Sequence, residues 1–425
     1  MGELVYVGKN DDEIATYRLD REAGSLTRVG GAPGGRHPSF LAFAPSKQQV
    51  YAVNEHAHEV AAFSVDPASG ALTLLNRVSS LGEEPAYVAV DGTGRWVLVA
   101  NYEHGPVVVY PVAADGSLGP PSDVRTTGVN PHAVVFDRSN RFVFVPNLGS
   151  DAISQLRFDA TRGKLAENDP PAVAVAAGSE PRHLALHTSG AFAYQMQEVG
   201  CRIDAFAVDA ATGTLSPIGS LPTLPRAAVA GVDTGSDVVV SPCGKFVYGS
   251  NRGDDSIVIG AVDGRGGLTL VGHEGARGKT PRALAIAASG TILLAANQHS
   301  GTIAVFRVDP ARGTLRHLGT TEVGASPYWV GAVTFPRATD LGSPRPPAEV
   351  MQPVEPGHFR GYQPPSRGGR GGSSRSSYHR PPPVSPPSTT RVCAVMNDAS
   401  SDARKSTARA WSSTVPTRRS GTRRR

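Results

Sequence analysis

The chain has 425 residues, of which 40% are hydrophobic and 19% charged, and a formal charge of +5. Its three cysteines, Cys201, Cys243 and Cys393, are an odd set without metal-ligand spacing, which argues against a disulfide scaffold or a zinc ribbon. No apolar run reaches the length of a membrane span, and the opening MGELVYVGKND has no leader-like apolar core, so a cytoplasmic protein without membrane contact is expected.

Residues 4–30 (LVYVGKNDDEIATYRLDREAGSLTRVG) read as three short strands with nothing before them. From His37 to about Thr321 come six units with a shared internal order. Residues 181–215 illustrate it: PRHLALH, a Thr188-Ser189-Gly190 turn, AFAYQMQ, RIDAFAVD, an Ala211-Thr212-Gly213 turn, and a fourth run that begins TLSPIGSL. An Asn closes the second run of most units, at Asn10, Asn54, Asn101, Asn147, Asn251 and Asn297, and Gln197 stands in its place once. The intervals are 44, 47, 46, 50, 54 and 46 residues, the size of one propeller blade. Asp66, Asp159, Asp209, Asp263 and Asp309 end third strands, each 12 residues past its Asn or Gln, and a glycine follows each. SPYWVGAVTF (326–335) reads as a first strand with nothing after it. Joined to residues 4–30 it completes a seventh blade. The fold expected is all-β: a seven-bladed β-propeller closed by its N- and C-terminal strands over residues 1–335.

Residues 336–425 are Pro-, Ser-, Gly- and Arg-rich and carry no strand pattern, so a disordered tail is expected there. The tail holds 15 Arg and one Lys against five acidic residues, a net of +11, which leaves −6 for residues 1–335. The propeller is therefore not expected to bind nucleic acid, and only the basic tail, with its RGGRGG run (367–372), has that composition.

In a propeller the start of each blade's first strand and the end of its second meet at one mouth of the central channel. Those positions hold His132, Arg182, His183, Glu198, Arg252 and Arg282, besides Arg36, His37, Glu84, Tyr87, Tyr328 and Trp329. Cations gathered at the mouth of an acidic domain suit a small anionic ligand, because a guanidinium bonds two oxygens of a phosphate or carboxylate at once. The recurring Asn is expected to serve the blade turn, and at least one of His183 and His187 to be structural. His56, His58, His104 and His299 show no convincing metal pattern, and no cofactor is expected.

The stretches 131–151, 180–199, 249–257 and 280–306, above all PRHLALH with its later Gln197-Glu198 and the Asn251-Arg252 step, resemble the lactonase-type seven-bladed propeller family. That family includes the propeller form of 6-phosphogluconolactonase and the fungal-type 3-carboxy-cis,cis-muconate lactonizing enzyme. The resemblance implies catalytic roles for His132, Arg182, Glu198 and Arg252. The family usually has Asn where this chain has Gln197, and often has Asp at Asn147 and His at Tyr87. Metal-independent hydrolysis of an anionic sugar lactone, 6-phosphogluconolactone above others, is the activity expected. Arg182, Arg252, Arg282 and His183 would hold the substrate. A muconate-type cycloisomerase and a non-catalytic binding propeller are the alternatives.

Overall fold

The computed structural model describes residues 3–103 and 105–335; His104 and the expected tail, 336–425, lie outside them. Seven four-stranded antiparallel sheets make seven blades. Blades 1 to 6 each use four consecutive strands, and blade 7 pairs Pro327–Val333 with Leu4–Lys9, which continues through Glu13–Asp20 to Ser25–Pro33. The closing register runs from Leu4 opposite Val333 to Gly8 opposite Trp329, as the complementary end pieces required. The inner edge strands line a central channel and the second and third strands fill the core between blades. Buried Val5, Val7, Leu294, Val305 and Val330, for example, lie in one cluster joining blades 6 and 7.

One recurrent side chain stitches the blades and another shapes their turns. Tyr6, Tyr51, Tyr194 and Tyr248 hydroxyls donate to the carbonyls of Gly70, Gly116, Gly266 and Gly313, each in the next blade. The acceptor glycines have φ between +73° (Gly313) and +91° (Gly116), which a Cβ would disfavour. The Asp before each turn folds it: Asp66 Oδ1 accepts from Ala68 and Ser69 N–H, and Asp209 and Asp309 do the same two and three residues on.

The recurring Asn does more than cap its own loop. Asn101, Asn251 and Asn297 Nδ2 donate to the carbonyls of Ser80, Thr223 and Ala276, in the segment arriving from the preceding blade. In several blades a glycine lies flat against the Asn side chain. A Cβ at Gly35, Gly82, Gly128 or Gly278 would come within 2.2 to 2.7 Å of Asn54, Asn101, Asn147 or Asn297 (2.2 Å at Gly35, 2.7 Å at Gly128). These glycines belong to a Gly-x-x-Pro repeat that also includes Gly178 and Gly324.

Candidate active site

The proline of that repeat begins the inner strand, and the residue before it turns sharply. His37, Glu84, Asn130, Glu180 and Thr280 all have left-handed φ, between +48° and +62°. Such a backbone in non-glycine residues is uncommon and marks a site held by its surroundings. Immediately after the proline, five blades insert a β-bulge, and blade 5, which lacks the proline, inserts one after Gly235. Pro181 pairs with Gln197 and His183 with Met196, so Arg182 is the extra residue. Ser39, Ala86, Arg282 and Tyr328 are extra in the same way, and blade 5 inserts Ser236 and Asp237 opposite Ser250. In blade 3 the Pro131–Asn147 bridge gives His132 that position. A bulge re-aims a side chain away from the pleat. One residue per blade is thereby turned toward the channel mouth, and His132, Arg182 and Arg282 are three of the seven.

The residues one step farther in close the channel beneath this ring. Phe40 stacks on Tyr87 at 3.9 Å between centroids, and His183 meets the two edge-on at 5.8 and 5.4 Å. Below this plug, toward the other end of the channel, is a cavity of about 420 Å³ lined by Leu184, Leu186, Val238, Leu284 and Trp329 among others.

At the mouth, Glu198 sits between two guanidinium groups. Its Oε2 is 3.0 Å from Arg182 Nε and its Oε1 is 2.8 Å from Arg252 Nη2. Burial alone would raise the Glu198 pKa, but Arg252 and Arg182 outweigh it and hold the carboxyl below its usual range. Arg182 is 2% exposed. Burial, with Arg282 and Arg252 nearby, pulls its pKa down to about 9, still cationic at neutral pH. Its Nη1 donates to Ser236 O at 2.8 Å and to His183 Nε2 at 3.2 Å. Accepting there, His183 must carry its proton on Nδ1, which faces Asp237 Oδ1 at 2.8 Å. Burial and then the Arg182 charge lower the His183 pKa to about 4, so the ring is neutral. Both its nitrogens are committed within the protein. The expected substrate contact at His183 is therefore corrected to a positioning role, orienting Arg182. His187 is structural as well, bonded to Ser189 Oγ and Gly244 O.

His132 packs against His183 and Tyr102, with centroids 5.3 Å away in each case. Burial and the Arg182 charge push its pKa well below the ordinary histidine value. Its Nδ1 is buried without a hydrogen bond among the described residues, as is Arg252 Nε, whereas Arg182 Nε is held by its ion pair to Glu198. Arg252 is tied to the same cluster through Gly235 O, 3.0 Å from its Nη2. Across the mouth, Arg282 lies over the Tyr328 ring at 4.4 Å. Among the described residues no hydrogen bond or ion pair engages its guanidinium. Burial and then the Arg252 charge lower its pKa against the opposing pull of Glu55. His132, Arg182, Glu198 and Arg252 thus form one cluster, with Arg282 free beside it. Arg36 is exposed outside the cluster.

Residues 4–332 match the family described as Lactonase, 7-bladed beta-propeller. The chain belongs to this lactonase family. A protein of Pectobacterium carotovorum named 6-phosphogluconolactonase is 31% identical over 79% of this chain and all of its own length. One of the same name from Bacillus subtilis is 30% identical over 74% of this chain and 93% of its own. Among solved structures, the Pseudomonas aeruginosa periplasmic gluconolactonase shares 31% identity at a TM-score of 0.73, covering 79% of this chain and 99% of that one. The protein is a lactone-hydrolysing enzyme, and its substrate is a small lactone. Sequence reasoning missed Asp237 and Ser236, which hold His183 and Arg182. Their signal was the blade 5 run Gly235-Ser236-Asp237, which aligns with Pro181-Arg182-His183 once the bulge is recognised.

Proposed function

We propose that this lactonase hydrolyses an anionic sugar lactone, 6-phosphogluconolactone, to 6-phosphogluconate. The observation carrying this reading is the charge balance at the mouth: three guanidinium groups, of Arg182, Arg252 and Arg282, against the Glu198 carboxylate between the first two and the Glu55 carboxylate on the Arg282 side. The surplus of positive charge, with Glu55 counted, favours an anionic group, and Arg282, which no hydrogen bond or ion pair engages among the described residues, is its first contact. The relatives named 6-phosphogluconolactonase support the same substrate.

In this reading the lactone carbonyl faces Arg182, whose cationic guanidinium, held beside Glu198, stabilises the developing oxyanion. Glu198 takes a proton as water attacks the carbonyl carbon. The tetrahedral intermediate then collapses, the ring C–O bond breaks, and the ring oxygen receives the proton by way of His132. Glu198 is a weak base while both arginines hold it. A phosphate pairing with Arg252 competes for that cation, loosens its grip and raises the basicity of Glu198 in the bound state. A δ-lactone is reactive enough for such help to suffice.

The test compares kcat/KM for 6-phosphogluconolactone and for unphosphorylated gluconolactone, in the wild type and in Arg282→Ala. The reading requires a preference for the phosphorylated lactone that Arg282→Ala reduces by ten- to a hundredfold or more, chiefly through KM. Equal use of both lactones would favour a gluconolactonase, as in the Pseudomonas relative. Turnover of a carboxymuconolactone instead would favour the cycloisomerase. The cytoplasm remains the compartment proposed, testable by fractionation.

A further inference from the structure

On the blade 1 side of the mouth three ligand-type side chains converge away from Glu198. His37 Nδ1 lies 3.2 Å from His56 Nε2 and 3.7 Å from Glu55 Oε2, and the three ligand atoms are all within 4.8 Å of one another. Donors held about 2.0–2.2 Å from one tetrahedral ion stand roughly 3.3–3.5 Å apart. The two shorter separations bracket that spacing, before any adjustment on binding.

The chain builds this cluster from fixed elements. His37 is 1% exposed and is the left-handed residue ahead of Pro38, with φ +62°. Asp12 Oδ1 accepts its N–H at 3.0 Å, and its carbonyl accepts the Glu55 N–H at 3.0 Å. Glu55 and His56 sit side by side on the single-turn 3-10 helix Glu55–Ala57, directly after the recurring Asn54. A second observation points to a ligand. His37 Nδ1, the nitrogen aimed into the cluster, faces another imidazole nitrogen and a carboxylate oxygen rather than a backbone acceptor, and no other hydrogen bond satisfies this buried ring's nitrogens among the described residues. Two neutral imidazoles in contact can share one proton between two lone pairs, whereas one cation satisfies both lone pairs and the carboxylate together.

We propose that His37, Glu55 and His56 bind a divalent cation of the zinc class. Two imidazole nitrogens and one carboxylate oxygen are a donor set that suits this class, and three protein ligands leave a coordination position for an oxygen from outside the chain. Tyr328 contacts both His37, at 4.0 Å between centroids, and the Arg282 guanidinium. The cation site and the free arginine therefore share one side of the mouth, and an anionic oxygen is the ligand for the open position.

The test uses the full chain, dialysed against a chelator and titrated with Zn²⁺ by calorimetry and with Co²⁺ by visible absorption, without any lactone. Expected are one equivalent of Zn²⁺ bound, an intense Co²⁺ band of the four-coordinate type, and a rise in Tm with Zn²⁺. His56→Ala and Glu55→Gln, both on the exposed side of the cluster, should weaken binding by on the order of 100-fold while the metal-free Tm stays near wild type. No binding would overturn the proposal. So would binding unchanged in both variants, which would place the metal on other side chains such as His299 or Cys393 and leave His37 and His56 as a proton-sharing pair. Because no lactone is present, neither outcome depends on the proposed hydrolysis.

Discussion

Glu198→Gln separates a base from a counter-ion. The substitution keeps the shape and removes the charge that sits 3.0 Å from Arg182 and 2.8 Å from Arg252. Each ion pair at such a distance has a Coulomb energy of about 5–6 kcal/mol at an effective dielectric of 20, before desolvation is subtracted. Breaking one side of a buried charge cluster costs about 3–5 kcal/mol in practice. With Glu198 22% exposed, a loss of about 3 kcal/mol and a Tm lower by several degrees are expected. Affinity for an anion moves the other way, because the mouth gains one net positive charge. Loss of a general base lowers the rate by about 10²–10⁴. The signature is therefore a large fall in kcat, a KM unchanged or lower, and a reduced Tm. Following lactone disappearance by NMR, with the spontaneous rate subtracted, measures all but the last. A variant that is less stable yet turns over at the wild-type kcat would refute the assignment of Glu198 as the base and leave it as a clamp for the arginines.

Arg282→Ala should raise KM for the phosphorylated lactone by at least tenfold and leave kcat for unphosphorylated lactone within about threefold, measured in the same assay. His183 gives a pH dependence. Its folded pKa of about 4 lies below the ordinary 6.5, so the stability it contributes is present above pH 6.5 and is lost as pH falls toward 4, about 3 kcal/mol in full. His183→Asn should show a visibly flatter fall of Tm between pH 6.5 and 4.5 than wild type, and equal slopes would count against the neutral, Nδ1-protonated ring. Ending the chain at residue 326 removes the strand Pro327–Val333 from blade 7 and should abolish cooperative melting, whereas ending it at 339 should leave Tm and turnover nearly unchanged, as circular dichroism and the lactone assay would report.

The blade count and the closure were legible because both depend on period. Alternation, turn residues and a spacing in the forties recur in the text itself, and the two end fragments are complementary. The membership of the mouth was legible for the same reason, since it follows from which strand ends point the same way. What the arginines do there was not. The sequence contains Arg182, Arg252 and Arg282 on equal terms, yet two are bound to Glu198 and one is free, a difference set by distances between blades that no single repeat encodes. His183 looked like a ligand for substrate because Pro-Arg-His reads as a contiguous motif. The bulge breaks that contiguity, sending Arg182 to the mouth and His183 into the plug against Phe40, Tyr87 and Asp237. The Asn repeat was read as a local cap, and its bond to the segment arriving from the preceding blade became visible only once the blades were side by side.

The bulge near the start of each inner strand separates two demands that a regular strand would tie together. In an unbroken pleat, the residue facing the mouth fixes which neighbours face the core, so changing one disturbs the other. Here the extra residue lies outside the alternation, and Ser39, Ala86, His132, Arg182, Ser236, Arg282 and Tyr328 occupy equivalent places although they differ in size and charge. The lining of the mouth can therefore be rewritten one blade at a time while the interior of every blade keeps its packing, which lets one scaffold present quite different chemistries to what enters it.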